Sequence, residues 1–327
     1  MNWRLIAALG AGLVVASCGG NPLGNEPDCG GNPFAGCADG GSGSGGGSGG
    51  GGTPGEPIPP SPGEQIPQEL SGNLRSVTYT AASGTLNVQI DPLGTGGRQL
   101  PFVRTPSLDT AGFQAFTYQA TDSNRYYVAL FDTSASGSVT AGVAGSGQFT
   151  EMVWGSAYSA DVAFSRPTTG PGLATYSGNY AGLINSGSAQ NPSPPPGAPA
   201  EPVQSLRTTG EVVINADFNA PAITGQRTGV EGVIRGRQIV DNGVALDDVF
   251  LQITAINADG SFGGTVTFRD RTNIGSYAGS FGGAGGDAVA GAIEIAPISG
   301  AAETLERGAF VADRCTPGQA SPCPTTP

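Results

Sequence analysis

The side chains most often used for catalysis are scarce in this sequence. It contains no histidine and no lysine, which removes Ser-His-Asp and Cys-His nucleophile arrangements, Schiff-base chemistry and the usual zinc sites. Asp217, Glu231, Asp247 and Asp248 remain as acid–base candidates, and their positions favour solvated strand ends and turns. Gly46–Gly50 matches a nucleophile elbow in spacing only, because no strand precedes it and no helix follows. We therefore expect no enzyme activity, no metal and no cofactor.

Cys18 is placed where a cysteine can be lipidated. The chain opens with a single positive charge at Arg4 and continues with about a dozen apolar or small residues, the layout of a secretory signal peptide. This run is shorter than the ~20 residues of a membrane-spanning helix. It ends in Val15–Cys18, which looks like a bacterial lipobox. We expect residues 1–17 to be a lipoprotein signal peptide and Cys18 to carry the lipid anchor; the alternative is an ordinary signal peptide with a chance cysteine.

The other four cysteines form two pairs with the same spacing. Cys29 and Cys37 are eight residues apart, as are Cys315 and Cys323, and the pairs flank the rest of the chain. In an oxidising compartment they would form two local disulfides. Bridges that join the two ends of the chain remain the alternative.

Charge and composition define a tether and limit the partners. The formal net charge of −12 at pH 7 repels phosphate backbones, so we expect no nucleic-acid partner. Residues 40–52 are only Gly and Ser, and a proline-rich stretch follows. We predict a disordered tether over residues 18–70, with a reach of about 40 Å for roughly 50 residues of coil.

A period of two begins at Leu74 and predicts short β-strands separated by turns. In Glu211–Phe218, the residues Val212, Ile214, Ala216 and Phe218 share one face. The second half continues with Val249, Leu251, Ile253 and Ala255 on one face of the next strand, then a turn at 257–260 and a return strand with Val266 and Phe268 inward. The predicted strands of the first half are Leu74–Thr80, Thr85–Ile90, Phe113–Gln119, Tyr126–Asp132 and two within Gln148–Phe164. Residues 166–172 read as a linker between the halves.

The second half resembles a family of bacterial surface lipoproteins. The segments that carry the resemblance are Thr175–Tyr180, Gly210–Phe218, Ile223–Gly225, Gly279–Gly286, Ala288–Ile293 and Arg307–Arg314. Their order is similar to the C-terminal barrel of the transferrin-binding protein B family, which also includes factor H-binding lipoproteins. The resemblance covers about residues 170–314.

The resemblance and the strand pattern together imply an all-β fold. We expect a C-terminal eight-stranded antiparallel barrel over residues 170–314, preceded by a smaller β-rich, handle-like domain over 71–165 and the disordered N-terminal stalk. Residues 315–327 would form a C-terminal tail. A small barrel that spans the membrane is a weaker alternative, because outward positions such as Glu211, Asn215 and Arg269 are polar and no aromatic girdles flank them.

The predicted function is ligand binding at the cell surface. We expect an outer-membrane lipoprotein, held by its lipid anchor, that binds a protein or a small ligand through loops at one end of the barrel. A periplasm-facing structural or assembly role is the alternative. Candidate ligand-binding residues are Tyr126, Tyr127 and Trp154 as exposed aromatics, Pro194 and Pro195 in the proline-rich loop 192–202, and Asp241 and Asn242 in a later turn. The proline-rich loop is either functional or a tolerated insertion.

Overall fold

The computed structural model describes residues 64–65, 68–80, 84–91, 98–119, 126–146, 153–168, 172–185, 205–219, 229–296, 305–316 and 323. The signal peptide, Cys18, Cys29, Cys37, most of the tether and the proline-rich loop with Pro194 and Pro195 lie outside these residues. Within them, no helix has both the length and the apolar character needed to cross a membrane.

The first half of the chain forms one antiparallel sheet of eight strands. Its order is β1-β8-β7-β6-β5-β4-β3-β2, so β2 to β8 follow one another as neighbours and β1 joins the far edge beside β8. Its elements are β1 (Glu64–Gln65), α1 (Gln68–Ser71), β2 (Leu74–Thr80), β3 (Thr85–Ile90), β4 (Arg98–Arg104), a 3-10 turn (Pro106–Leu108), β5 (Gln114–Tyr118), β6 (Tyr127–Thr133), β7 (Val139–Ser146) and β8 (Val153–Ala160). Residues 64–65 and 68–70, expected at the end of the tether, therefore belong to folded structure.

This N-terminal sheet bends until its ends approach each other. The Asn73 amide donates to the Trp154 carbonyl at 2.8 Å, which joins the start of β2 to β8. Inward-facing side chains fill the space enclosed by the bend, among them Val88, Phe116, Ala129 and Phe131. Their alternation with outward neighbours follows from the period of two along each strand.

The second half forms a closed antiparallel barrel of eight strands in the order β10-β11-β12-β13-β14-β15-β16-β9. Its strands are β9 (Leu173–Asn185), β10 (Leu206–Asp217), β11 (Gly229–Ile239), β12 (Val249–Thr254), β13 (Ser261–Thr267), β14 (Asn273–Gly282), β15 (Ala288–Ile295) and β16 (Leu305–Arg314). The last strand closes the barrel on the first, with register from Leu305 opposite Asn185 to Arg314 opposite Tyr176. The all-β prediction, with an eight-stranded barrel after a β-rich region, is confirmed.

Most of the barrel interior is a packed apolar core. Val212, Ile214, Ala216 and Phe218 all point into it, as their alternation predicts. Phe281 is fully buried and its ring lies 4.9 Å from that of Phe218. The rings of Tyr176, Phe262 and Phe164 surround the same phenyl group at centroid distances of 5.2, 5.2 and 6.1 Å.

A different kind of surface joins the barrel to the N-terminal sheet. On the barrel side the shared apolar cluster is built mainly from alanine, at positions 181, 278, 288, 290, 292 and 309. The opposing side chains are larger and include Phe113, Leu130 and Val143. Small side chains on one face let the two sheets approach closely, so the contact resembles a protein interior in its packing.

The C-terminal segment is held by a disulfide. Cys315 and Cys323 are bonded, with Cα atoms 5.5 Å apart, which confirms one of the two local pairings. The Cys315 amide also donates to the Thr175 carbonyl at 2.8 Å, so the bridge begins directly where β16 leaves the barrel.

One carboxyl group at the sheet–barrel boundary makes stability depend on pH. Burial raises the pKa of Asp132 to about 6, opposed by a hydrogen bond from the Thr133 amide and reinforced by the charge of Asp313. The pKa of Asp313 is itself raised, mainly by burial. Between about pH 4 and pH 6 the folded chain therefore binds more protons than the unfolded chain, so stability falls as the pH rises through this window.

We expect the free energy of unfolding to be lower at about pH 7.5 than at about pH 5, with Asp132 contributing at most about 2 kcal/mol after allowance for its partial exposure. Urea unfolding at both pH values measures the difference. Asp132→Asn removes the titrating group and should flatten the dependence. An equal slope in the variant and the original chain would contradict the assignment to Asp132.

Candidate binding site

The aromatic candidates from the sequence are not exposed, which corrects that expectation. Tyr127 is 6% exposed and its ring lies 6.4 Å from those of Phe102 and Tyr118 in the core of the N-terminal sheet. Trp154 is also 6% exposed, and the guanidinium of Arg307 covers its ring at 5.1 Å. Both side chains contribute to packing, because period two places them on buried faces. Tyr126 is half-buried and packs against the sheet–barrel cluster.

Asp241 and Asn242 are exposed at one end of the barrel. They lie in the segment Val240–Asp248, which connects β11 to β12 and is called here the β11–β12 loop. The end of β9 and the start of β10, which flank the proline-rich connection, lie at the same end of the barrel as this loop. The Val240 amide donates to the Arg207 carbonyl at 2.8 Å, which places the start of β10 beside the loop.

Hydrogen bonds within the β11–β12 loop fix its backbone. The Ile239 amide donates to the Val244 carbonyl and the Gly243 amide to the Ile239 carbonyl, each at 2.8 Å. Gly243 has a φ of 71°, a left-handed conformation that suits glycine at a tight turn. The Asn242 side chain accepts a hydrogen bond from the Val244 amide at 3.0 Å. The loop is therefore shaped by its own contacts before any partner arrives.

This fixed loop holds apolar side chains in solvent. Val240 is 36% exposed and Val244 is 49% exposed, although both are β-branched residues that bury readily elsewhere in the chain. Single exposed valines need no explanation. Two exposed valines on one rigid turn, beside the charged Asp241, form a small apolar surface with a polar edge. Protein interfaces have the same composition, with an apolar centre and a polar rim.

Arg207 connects the loop to the N-terminal sheet. Its guanidinium bonds to Asp241 Oδ1 at 2.8 Å, and its amide donates to Asp241 Oδ2 at 3.1 Å. The other guanidinium nitrogen donates to the Leu108 carbonyl at 2.9 Å. Since Arg207 is almost fully buried, these contacts hold Asp241 in one position rather than leaving it to sample many.

Below the loop, a fully buried ion pair occupies the barrel interior. Arg237 on β11 pairs with Glu306 on β16, and neither side chain has any exposure. Arg237 also donates to the Asp247 carbonyl at 2.7 Å, which fastens the far end of the β11–β12 loop. Tyr180 and Thr208 each donate a hydroxyl hydrogen to Glu306 Oε1 at 2.6 Å. Burial, followed by the charge of Glu306, raises the pKa of Tyr180 well above its usual value, so its phenol stays protonated as a donor.

The carboxylates considered as acid–base candidates do not converge. Asp248 accepts a hydrogen bond from the Gly236 amide at 3.0 Å near the β11–β12 loop. Asp217 and Glu231 instead lie on the outer face of the barrel, beside Leu173 and Ile253. No group of three or more potential metal ligands occurs among the residues that the structure describes.

Sequence reasoning missed the charged residues that shape this site. Arg237 and Glu306 stand at inward positions of their strands, two residues from Ile239 and four from Phe310. The available signal was a charged residue at an inward position of a strand, an even number of residues from a large apolar one. A charged side chain is buried at such a position only when it is paired.

The fold and site define an all-β protein with a bent N-terminal sheet and a closed barrel that presents a fixed loop. No family model matches the sequence, and no curated protein matches it. Among solved structures, the chain is similar to a transferrin-binding protein B double mutant from Haemophilus parasuis Hp5, at 13% identity and a TM-score of 0.37, over 67% of this chain and 39% of that one. It is also similar to intact Ap-TbpB with its N and C lobes, at 12% identity and a TM-score of 0.37, over 73% of this chain and 45% of that one.

The same kind of likeness extends to isotype 1 transferrin-binding protein B from serogroup B Neisseria meningitidis, at 13% identity and a TM-score of 0.34, over 69% of this chain and 39% of that one. The chain thus spans less than half the length of these structures. The similarity expected from the sequence is found, and it concerns the arrangement of strands rather than any ligand.

Proposed function

We propose that this chain is a non-enzymatic outer-membrane lipoprotein that binds a protein or small ligand at the cell surface through the barrel end formed by the β11–β12 loop. The observation that carries the binding proposal is the loop itself, with Val240 and Val244 exposed on a backbone fixed by Arg207 and Arg237. A surface that is already ordered loses less conformational entropy on binding.

The proposed attachment rests on the sequence. The lipobox-like Val15–Cys18 supplies the anchor, and the Gly/Ser and proline-rich residues that follow supply a tether. Two or more acyl chains on Cys18 would hold the chain stably, whereas one would not. Pro194 and Pro195, which lie between β9 and β10 in the sequence, are kept as proposed binding residues.

Protease treatment of intact cells tests the location. We expect the folded region to be cleaved from intact cells, and the Cys18→Ala variant to be released from the membrane fraction. Blotting for the C-terminal region before and after treatment gives the measurement. Protection until the outer membrane is permeabilised would overturn surface display and support a periplasm-facing assembly role instead.

Site-specific photo-crosslinking tests the binding surface. A photoreactive amino acid in place of Val244 is expected to give a discrete crosslinked product in intact cells. The matched control places the same residue at Leu173, which is exposed at the opposite end of the barrel strands. Equal product patterns from both positions, or none from position 244, would contradict a binding role for the loop.

A further inference from the structure

A cleft lies in the N-terminal sheet, well separated in the fold from the β11–β12 loop. It opens between β2 on one side and β8 with its paired strand β1 on the other, beyond the point where Asn73 joins β2 to β8. Among the described strands, β2 pairs only with β3, and β1 covers β8 only at Tyr158 and Ser159. Among the described strands the sheet therefore does not close completely, and it leaves a cavity of about 120 Å³ that is open to solvent.

The floor of this β2–β8 cleft is apolar and aromatic. Val77, Phe131 and Ala157 form it, and all three are buried. Tyr79 forms one wall, with its ring 6.3 Å from that of Phe131. The Tyr79 hydroxyl lies 3.2 Å from Gln114 Oε1 and donates to it, which holds the ring in place. Such a floor suits a ligand body of a few carbon atoms or a single ring.

The rim of the cleft carries one oriented carboxylate. Thr140 donates its hydroxyl to Asp161 Oδ2 and Ser159 donates its hydroxyl to Asp161 Oδ1, both at 2.6 Å. Each carboxylate oxygen accepts more than one hydrogen bond, so both keep capacity for a further donor. Among the described residues, no arginine forms an ion pair with Asp161, and none lines the cleft.

We propose that the β2–β8 cleft binds a small organic ammonium compound with an aromatic or alkyl body. The ammonium group would donate to Asp161, and the body would contact Phe131, Val77 and Ala157. The net charge of −12 raises the local concentration of cations around the chain and disfavours carboxylate or phosphate ligands.

This site is independent of the lipid anchor and of the β11–β12 loop, so its test does not depend on the function proposed above. The probe is phenethylammonium, titrated into the purified full chain by isothermal calorimetry. We expect saturable binding with a Kd of about 1 mM, typical of a ligand this small. The matched neutral probe, 2-phenylethanol, should bind at least about ten-fold more weakly.

Two variants locate the site. Asp161→Asn keeps a hydrogen-bond acceptor but removes the charge, and we expect it to weaken phenethylammonium binding by about ten-fold or more. Ser159→Arg places a cation beside Asp161 and should abolish binding, so it serves if the first variant does not fold. Asp270→Asn, an exposed carboxylate on the β13–β14 turn, is the control and should leave binding unchanged.

Three outcomes would overturn the proposal. The first is an absence of saturable binding up to about 20 mM probe. The second is equal binding of the ammonium and the alcohol. The third is unchanged affinity in a folded Asp161→Asn or Ser159→Arg chain. Circular dichroism of each variant establishes that it is folded before the titration is interpreted.

Discussion

Replacing Glu306 by glutamine is expected to lower the free energy of unfolding by about 3–5 kcal/mol. The change leaves the charge of Arg237 without its partner in a part of the barrel that no solvent reaches. Tyr180 and Thr208 would still find an oxygen at position 306, so the loss reports the charge more than the hydrogen bonds. Urea or thermal unfolding followed by circular dichroism measures the effect.

The chain offers a matched control for this prediction. Glu211 and Arg235 also form an ion pair across neighbouring strands, at 3.0 Å, but their side chains are 36% and 44% exposed. Glu211→Gln should cost less than about 1 kcal/mol, because exposed pairs contribute little. Similar losses of unfolding free energy for Glu306→Gln and Glu211→Gln would show that burial does not determine how much the Arg237–Glu306 pair contributes to stability. A variant with leucine at both 237 and 306 should be more stable than Glu306→Gln, since no uncompensated charge remains.

Truncation of Phe281 to alanine is expected to cost about 3–5 kcal/mol as well, by a different mechanism. The phenyl ring contacts the rings of Tyr176, Phe218 and Phe262 and is fully buried, so its removal leaves a cavity that these stiff neighbours cannot refill. The cost combines the lost transfer free energy with the cavity left behind.

Equilibrium unfolding of Phe281→Ala measures the loss, and Leu173→Ala is its control. Leu173 is 61% exposed, so its truncation should change the free energy of unfolding by less than about 0.5 kcal/mol. A loss below about 1 kcal/mol for Phe281→Ala would mean that the aromatic cluster rearranges to fill the space, contrary to the packing described.

Strands with clear alternation could be predicted from the sequence, and those without it could not. β2 and β3 have the bounds expected for them, and the inward face of β10 is the one that its apolar residues indicate. β7 was not predicted because glycine, alanine and serine fill most of Val139–Ser146. It forms a strand because it pairs with β6 on one side and β8 on the other. Gly142 is required there, since a Cβ at this position would lie 2.4 Å from the ring of Phe131.

Ile253 shows why a correct strand can still mislead about its faces. The alternation of Val249 and Leu251 predicts that Ile253 points inward, yet it is 39% exposed. The register between β11 and β12 shifts between Val230 and Gly232, which leaves one extra residue on β12. A bulge of this kind turns the following side chains to the other face, and no pattern in the sequence marks it.

The candidate site was only partly predictable for a related reason. The exposed position of Asp241 and Asn242 could be predicted because a polar turn between two strands is visible in the sequence, and their role in binding stays a prediction. The exposure expected for Tyr127 and Trp154 was wrong, because an aromatic residue in a strand has the same appearance whether it is in the core or on the surface. Arg237 and Glu306 come from strands far apart in the chain, and only the tertiary fold brings them together.

The pairing of β9 with β16 has a consequence for how the barrel forms. These are the first and last strands of the barrel, so its closure depends on contacts that are distant in sequence, and such contacts form slowly. A chain that emerges from its N terminus can complete the N-terminal sheet early, but the barrel stays open until its final strand is free. Arg237 also lacks its counter-charge until Glu306 arrives on that strand. Barrel closure is thereby delayed until residues 305–314 have been synthesised, so the other seven strands of the barrel wait for the eighth before their ends can be joined.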